Sequence, residues 1–326
     1  MSATMQEKIF GIRNAAEFER IALEVFQYQA RCVNVYSNFI QLLGVNPLDV
    51  DSLEKIPFLP ISFFKTHDVI VTGQVPAVTF TSSGTTGSET SRHLVSNTDI
   101  NTQSFRRAFA HFYGDIKDYC VLALLPAYLE RTGSSLVFMA NDLIEQSAHP
   151  QSGFYLNNLN ALVSVLNEQN RKGQKTILLG VTFALLTMAE EFKLSLSSTT
   201  VMETGGMKGR RKEIVRQELH QILCNGLGVN NIHSEYGMTE LLSQAYSYGE
   251  GVFSCPPWMK ILLRDPYDPL SKFNQGSGAI NVIDLANINS CSFIQTDDLG
   301  RLHPDGTFEV LGRMDNSQIR GCNLLV

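Results

Sequence analysis

The chain has 326 residues, 44% of them hydrophobic and 18% charged, with a formal net charge of −6. Those proportions exclude a disordered, solvating chain and leave room for about two domains of ordinary size. An acidic balance without a basic stripe argues against nucleic acid as a partner; the one dense basic cluster, Lys208, Arg210, Arg211 and Lys212, reads as a solvated helix face, with phosphate contact as the alternative.

Asn14 to Leu43 carries apolar residues at helical spacing (Phe18, Ile21, Ala22, Val25, Phe26) and stops at Gly44 and Pro47. Ala77 to Phe80 then reads as a strand. Strand and helix patterns alternate from there: Tyr119–Leu125 a strand, Leu136–Ile144 and Ala161–Gln169 helices, and Thr176–Val181 a strand. Phe183–Phe192 follows as a helix, Thr199–Glu203 as a strand, Lys208–Leu223 as a helix and Asn231–Tyr236 as a strand. Such alternation predicts an α/β fold with a mostly parallel sheet covered by helices. Beyond about Gly249 prolines and glycines become frequent, and Trp258–Leu263, Ala279–Ile283 and Phe308–Leu311 read as short antiparallel strands.

Six scattered cysteines show no Cys-x-x-Cys spacing, so neither a zinc site nor a disulfide framework is expected. The N-terminus has no signal-peptide pattern. The longest apolar stretch, Thr176 to Ala189, has fourteen residues, short of the roughly 20 that span a bilayer. A cytoplasmic protein with no membrane span is the expectation.

The chemistry concentrates in Thr81-Ser82-Ser83-Gly84-Thr85-Thr86-Gly87-Ser88, eight consecutive hydroxyl residues or glycines directly after a strand. Glycines let backbone N–H groups approach a polyphosphate, and the hydroxyls add donors. No Gly-Lys-Ser/Thr follows, so this is not a Walker loop. Three further strings come later in the chain. They are Ser234-Glu235-Tyr236-Gly237-Met238-Thr239-Glu240, Thr296-Asp297-Asp298-Leu299-Gly300, and Gly312-Arg313-Met314-Asp315 followed by Ile319-Arg320-Gly321.

These four strings, in this order, resemble the phosphate loop, the Tyr-Gly-x-Thr-Glu motif, the Thr-Gly-Asp-Leu-Gly motif (with Asp297 in place of its glycine) and the hinge of the adenylate-forming acyl- and aryl-acid ligases. The resemblance implies an α/β body over 1–250, a β-rich subdomain over 251–312 and a truncated hinge over 313–326, without the lid domain that follows it in full-length ligases. It implies ATP and Mg²⁺ as cofactors. Thr81, Ser82, Ser83, Gly84, Thr85, Thr86 and Gly87 would hold the β- and γ-phosphates, Glu240 would ligate Mg²⁺, and Thr239 would touch the α-phosphate. Tyr236 would stack on adenine opposite Gly205-Gly206-Met207. Asp298 would accept the ribose hydroxyls, with Arg313 beside it. The family's loop commonly continues to a Pro-Lys pair; Arg92 stands where this chain could supply that charge, as a planar fork rather than a point.

Among members without a lid, the chain is most similar to the acyl-protein synthetases of bacterial fatty-acid reductase complexes. Pro126-Ala127-Tyr128-Leu129-Glu130-Arg131, Ser134-Ser135-Leu136 and the ending Ile319-Arg320-Gly321-Cys322-Asn323-Leu324 carry that likeness. It implies ATP-dependent activation of a carboxylic, fatty acid as acyl-AMP, pyrophosphate release, and transfer to a protein thiol, with Cys322 as the acceptor. Cys322 also reads as a small apolar side chain anchoring the tail. An acyl-coenzyme A ligase, or a nucleotide- or acyl-binding protein without turnover, are the alternatives. The partners implied are an acid substrate and an acyl-accepting protein or coenzyme A.

Overall fold

A computed structural model describes residues 4–82, 90–126, 133–205 and 214–314. Thr4 opens the first helix with a capping box: its hydroxyl accepts from the Glu7 amide at 3.2 Å, and Glu7 Oε2 accepts from the Thr4 amide at 2.7 Å. The predicted helical segment from Asn14 to Leu43 is two helices, Ala15–Cys32 and Asn34–Leu42, broken at Val33, whose backbone is extended (φ −106°, ψ 98°). The β-branched Val33 breaks the run without a proline or glycine, which apolar periodicity alone does not register.

The described residues divide into two compact units. One takes 4–101, Glu240–Ser243 and 254–314; the other takes 102–239 and 244–253. The first hundred residues therefore fold with the β-rich segment far along the chain.

In the first unit, Met259–Arg264, Gly276–Asp284, Phe293–Leu302 and Phe308–Arg313 form an antiparallel ladder in that order, and Leu59–Pro60 pairs in parallel with Phe293–Leu302. Phe26, Tyr36 and Phe58 pack their rings around Phe293 at centroid distances of 6.0 to 6.2 Å. Buried Gln29 staples the helix to this sheet. Its amide donates to the carbonyls of Asn287 and Ile288, and its oxygen accepts from the Ser292 amide. Among the described residues the strand before the phosphate-loop string, Val78–Thr81, pairs only with Arg92–Val95, as a separate antiparallel hairpin. It sits outside the parallel sheet.

The second unit holds the parallel sheet that the alternation predicts. Gly153–Phe154, Cys120–Leu124, Thr176–Val181, Thr199–Thr204 and His233–Tyr236 run parallel in that order, closed by antiparallel Ala245–Ser247. Thr176–Val181 is buried at every position, as a central strand covered on both faces must be. The helix expected over Lys208–Leu223 begins at Arg216 and runs to Leu227; the cluster Lys208–Lys212 lies outside the described residues.

His233, at the start of its strand, sits among the rings of Tyr113 and Tyr248, and its Nδ1 is 3.1 Å from the Tyr113 hydroxyl. Burial pushes its pKa down to about 4. An unfolded histidine takes up a proton near pH 6.5, so between 6.5 and 4 the unfolded chain binds a proton that the folded chain refuses. Stability is complete above pH 6.5 and falls as the pH drops through that window. Thermal melts from pH 7.5 to 4 should show a descending midpoint that flattens in His233→Asn, whose Oδ1 can still accept from Tyr113. An unaltered slope in the variant would assign the acid sensitivity elsewhere.

Candidate active site

Three of the four motif strings lie in the first unit, and Glu240, the last residue of the fourth, lies there with them. Glu240 is 5% exposed. Burial pushes its carboxyl pKa up, against a hydrogen bond from the Ser91 side chain and the positive fields of Arg313 and Lys65. Ser91 lies where the chain returns from the phosphate-loop string. Its amide donates to Ser82 Oγ at 2.9 Å, and its carbonyl accepts from the Ser82 amide at 3.1 Å. Thus Thr81 and Ser82, the two described residues of the loop string, are tied across the hairpin to a residue that reaches Glu240.

Asp298 and Arg313 are cross-strand neighbours in register, and Arg313 Nε donates to Asp298 Oδ1 at 3.1 Å. The carboxylate is 6% exposed, while the Arg313 side chain is largely exposed. Burial works against the Arg313 charge, but Asp298, Asp297 and Glu240 outweigh it and raise its pKa. The Asp298 amide donates to Thr296 Oγ1 at 3.1 Å, inside the stretch of Phe293–Leu302 where the pairing register shifts.

Beneath Asp298 lies a residue the sequence does not flag. Arg264 is 1% exposed and donates to the carbonyls of Ile280 and Thr296 and to Asn281 Oδ1. Burial brings its pKa down to about 10, with Asp297 and Asp298 opposing. The two adjacent carboxylates favour the buried cation against its desolvation. In sequence, Arg264-Asp265-Pro266 reads as the polar start of a turn, so nothing there signals burial.

The second unit presents Gly205, Tyr236 and Thr239. Gly205 follows the strand Thr199–Thr204 with φ +76°, a conformation that favours glycine. Tyr236 is buried, its ring 5.9 Å from that of Phe253. Thr204 and Glu235, on adjacent strands, share a 2.5 Å hydrogen bond. Thr239 is the last residue of the second unit before Glu240. Ser83, Gly84, Thr85, Thr86, Gly87, Gly206, Met207 and Cys322 lie outside the described residues. Arg92 pairs with Asp68 at 2.9 Å, both side chains exposed.

A family model described as "Acyl-protein synthetase, LuxE" matches residues 13–326. The chain belongs to the LuxE acyl-protein synthetase family. No curated protein matches it. Among solved structures, an open conformation of 2-hydroxyisobutyryl-CoA ligase in complex with 2-HIB-AMP and CoA is similar at a TM-score of 0.69 and 12% identity, over 97% of this chain and 80% of that one. ATP-bound MatB from Rhodopseudomonas palustris is similar at a TM-score of 0.54 and 18% identity, over 72% of this chain and 47% of that one. At these identities the likeness shows the fold: a LuxE family chain with the α/β architecture of adenylate-forming ligases. Among the described residues no helix is long and apolar enough to cross a membrane.

Among the described residues no group of three or more His, Cys, Asp or Glu side chains could hold a metal. Mg²⁺ does not require such a group, because it uses one or two protein carboxylates together with substrate phosphates and water. Glu240, a buried carboxylate whose desolvation outweighs its partners, has the chemistry of such a single ligand.

If Asp298 holds the ribose, Asp298→Ala should weaken ATP by about 1.5–3 kcal/mol, the range for hydrogen bonds to a charged group. Asp297 is half-buried, and its carbonyl accepts from the Met314 amide, a bond that survives loss of the side chain. Asp297→Gly should therefore cost nucleotide binding little by titration calorimetry. Equal losses in the two variants would reassign the ribose contact.

Proposed function

We propose that this chain uses ATP to activate a fatty acid as its acyl adenylate and then passes the acyl group to a protein thiol. The observation that carries the proposal is the strand register that sets Asp298 of one motif string 3.1 Å from Arg313 of another, in the same unit as buried Glu240 and the hairpin of the phosphate-loop string.

A carboxylate is a poor acyl donor because its leaving group would be an oxide. One oxygen of the substrate carboxylate bonds to the α-phosphorus of ATP while the bond to the pyrophosphate oxygen breaks, which leaves AMP as a competent leaving group. A thiolate then bonds to the carbonyl carbon and AMP departs. Little covalent chemistry falls to the protein; it must position the groups and offset developing negative charge. In this reading Thr81 to Gly87 hold the β- and γ-phosphates, Thr239 meets the α-phosphate, and Tyr236 with Gly205, Gly206 and Met207 encloses the adenine. Asp298 and Arg313 fix the ribose. Mg²⁺, held by Glu240 and the phosphates, would supply charge neutralisation on the departing pyrophosphate.

The test is acid-dependent exchange of labelled pyrophosphate into ATP, over acids of increasing chain length. Exchange without coenzyme A, strongest with long-chain acids, is the expected result. AMP release that depends on coenzyme A and yields the free coenzyme A thioester would favour an acyl-coenzyme A ligase. ATP binding without exchange for any acid would leave a binding protein and overturn the proposal.

A further inference from the structure

The tetrapeptide Glu240–Ser243 is the one stretch between residues 102 and 253 that folds with the first unit. A single short segment, Asp284–Asn287, grips it at both ends. At the far end the Asp284 carboxylate accepts from the Leu242 amide at 2.8 Å, the Ser243 amide at 3.0 Å and the Ser243 hydroxyl at 2.5 Å. At the near end Asn287 Nδ2 donates to the Glu240 carbonyl at 2.7 Å.

Behind Asn287 stands His93, fully buried, with Nε2 2.9 Å from Asn287 Oδ1. A carbonyl can only accept, so Asn287 must present its NH₂ to Glu240 and its oxygen to His93. His93 must then carry its proton on Nε2. The donors run one way, from His93 through Asn287 to the Glu240 carbonyl. His93 is two residues from Ser91 on the same hairpin, and Phe64 packs edge-on against its ring at 5.6 Å. The hairpin that carries Ser91 therefore reaches the Glu240 backbone, through His93 and Asn287.

We propose that Asn287, oriented by His93, is the positioning residue that sets Glu240 for the divalent cation of the nucleotide site. The inference rests on the reading of Glu240 as the metal ligand. A carboxylate destabilised by burial gains by turning toward water, and only a fixed backbone confines it to its own side-chain torsions. Asp284 already ties the tetrapeptide to the fold through Leu242 and Ser243, so the Asn287 bond is not needed to hold the segment in place. What it adds is the placement of Glu240, coupled to the hairpin whose connecting string reads as the phosphate loop.

The experiment measures three quantities in Asn287→Ala, His93→Leu and His93→Gln. They are ATP-dependent Mn²⁺ affinity by electron paramagnetic resonance, the Mg²⁺ concentration for half-maximal pyrophosphate exchange, and the melting temperature without ligand. Asn287→Ala should weaken Mn²⁺ and raise the Mg²⁺ requirement by about tenfold, the scale of one hydrogen bond near a charged group. The larger part of the loss should fall on the metal requirement rather than on the plateau rate. His93→Leu should shift both in the same direction. His93→Gln, whose Nε2–H can donate from a similar place, should restore them.

Unchanged Mn²⁺ affinity in a folded Asn287→Ala, or a His93→Gln as impaired as His93→Leu, would overturn the proposal. If Asn287→Ala does not fold, the two His93 variants carry the same comparison. Glu240→Gln separates the two levels. If it abolishes Mn²⁺ binding while Asn287→Ala does not, only the positioning role fails. If it leaves Mn²⁺ affinity intact, the metal-ligand reading fails and the positioning role with it.

Discussion

Glu240→Gln should lower acid-dependent pyrophosphate exchange by about 10²–10³, the scale seen when one electrostatic group is removed from a reacting site. The same change should leave the melting temperature of the ligand-free protein unaltered or raise it. Glu240 is buried, and burial pushes its carboxyl pKa up, so in the absence of a cation its charge is a cost. Glutamine keeps the shape and one oxygen for Ser91 while removing that cost. Thermal stabilisation by Mg-ATP should shrink in parallel, because it follows RT ln(1 + [L]/Kd), about 2.7 kcal/mol at a hundredfold excess over Kd. A variant with wild-type exchange would make Glu240 structural. A variant that melts far below the wild type would say the same by a different route.

The motif strings were legible because each is local: a few adjacent residues whose types state the chemistry. Asp298 and Arg313 lie in separate strings, and the strand pairing that sets them in register turns two guesses into one 3.1 Å contact. The central strand Thr176–Val181 was legible for the same reason, since a short apolar run is its own signal. The helix Thr98–Tyr113 was not. Its inward stripe includes Asn101 and Ser104, both buried, and two polar residues break the apolar period on which the reading depends. The division of the chain was hidden as well. Gln29 bonds to carbonyls 258 and 259 residues away, and a polar side chain seeking backbone partners leaves no pattern in composition. Asn287 and His93 escaped because an asparagine in a short turn and a lone histidine on a strand are ordinary until their partners are seen.

Incubation of the protein with ATP and a labelled fatty acid should give one thioester adduct by intact-protein mass spectrometry, and Cys322→Ser should abolish it while pyrophosphate exchange persists. The first half of this expectation needs a nucleophilic thiol, and the described cysteines are poorly suited. Burial pushes Cys120 up to about 11 and Cys255 and Cys291 up to about 12, and it raises Cys224 as well. At pH 7 a thiol with a pKa near 11 is ionised in about one molecule in ten thousand, and the thiolate is the attacking species. Cys32 is half-buried at the end of the helix Ala15–Cys32. Cys322 follows Arg320 by two residues in the ending that carries the likeness to acyl-protein synthetases. The second half separates the two chemical steps. Exchange reports formation and reversal of the adenylate, which needs no thiol, whereas the adduct needs both. Retained exchange with no adduct in Cys322→Ser would establish acyl transfer onto that sulfur. An adduct that survives the substitution, or none at all with an acid that supports exchange, would sink the assignment and return Cys322 to a packing role.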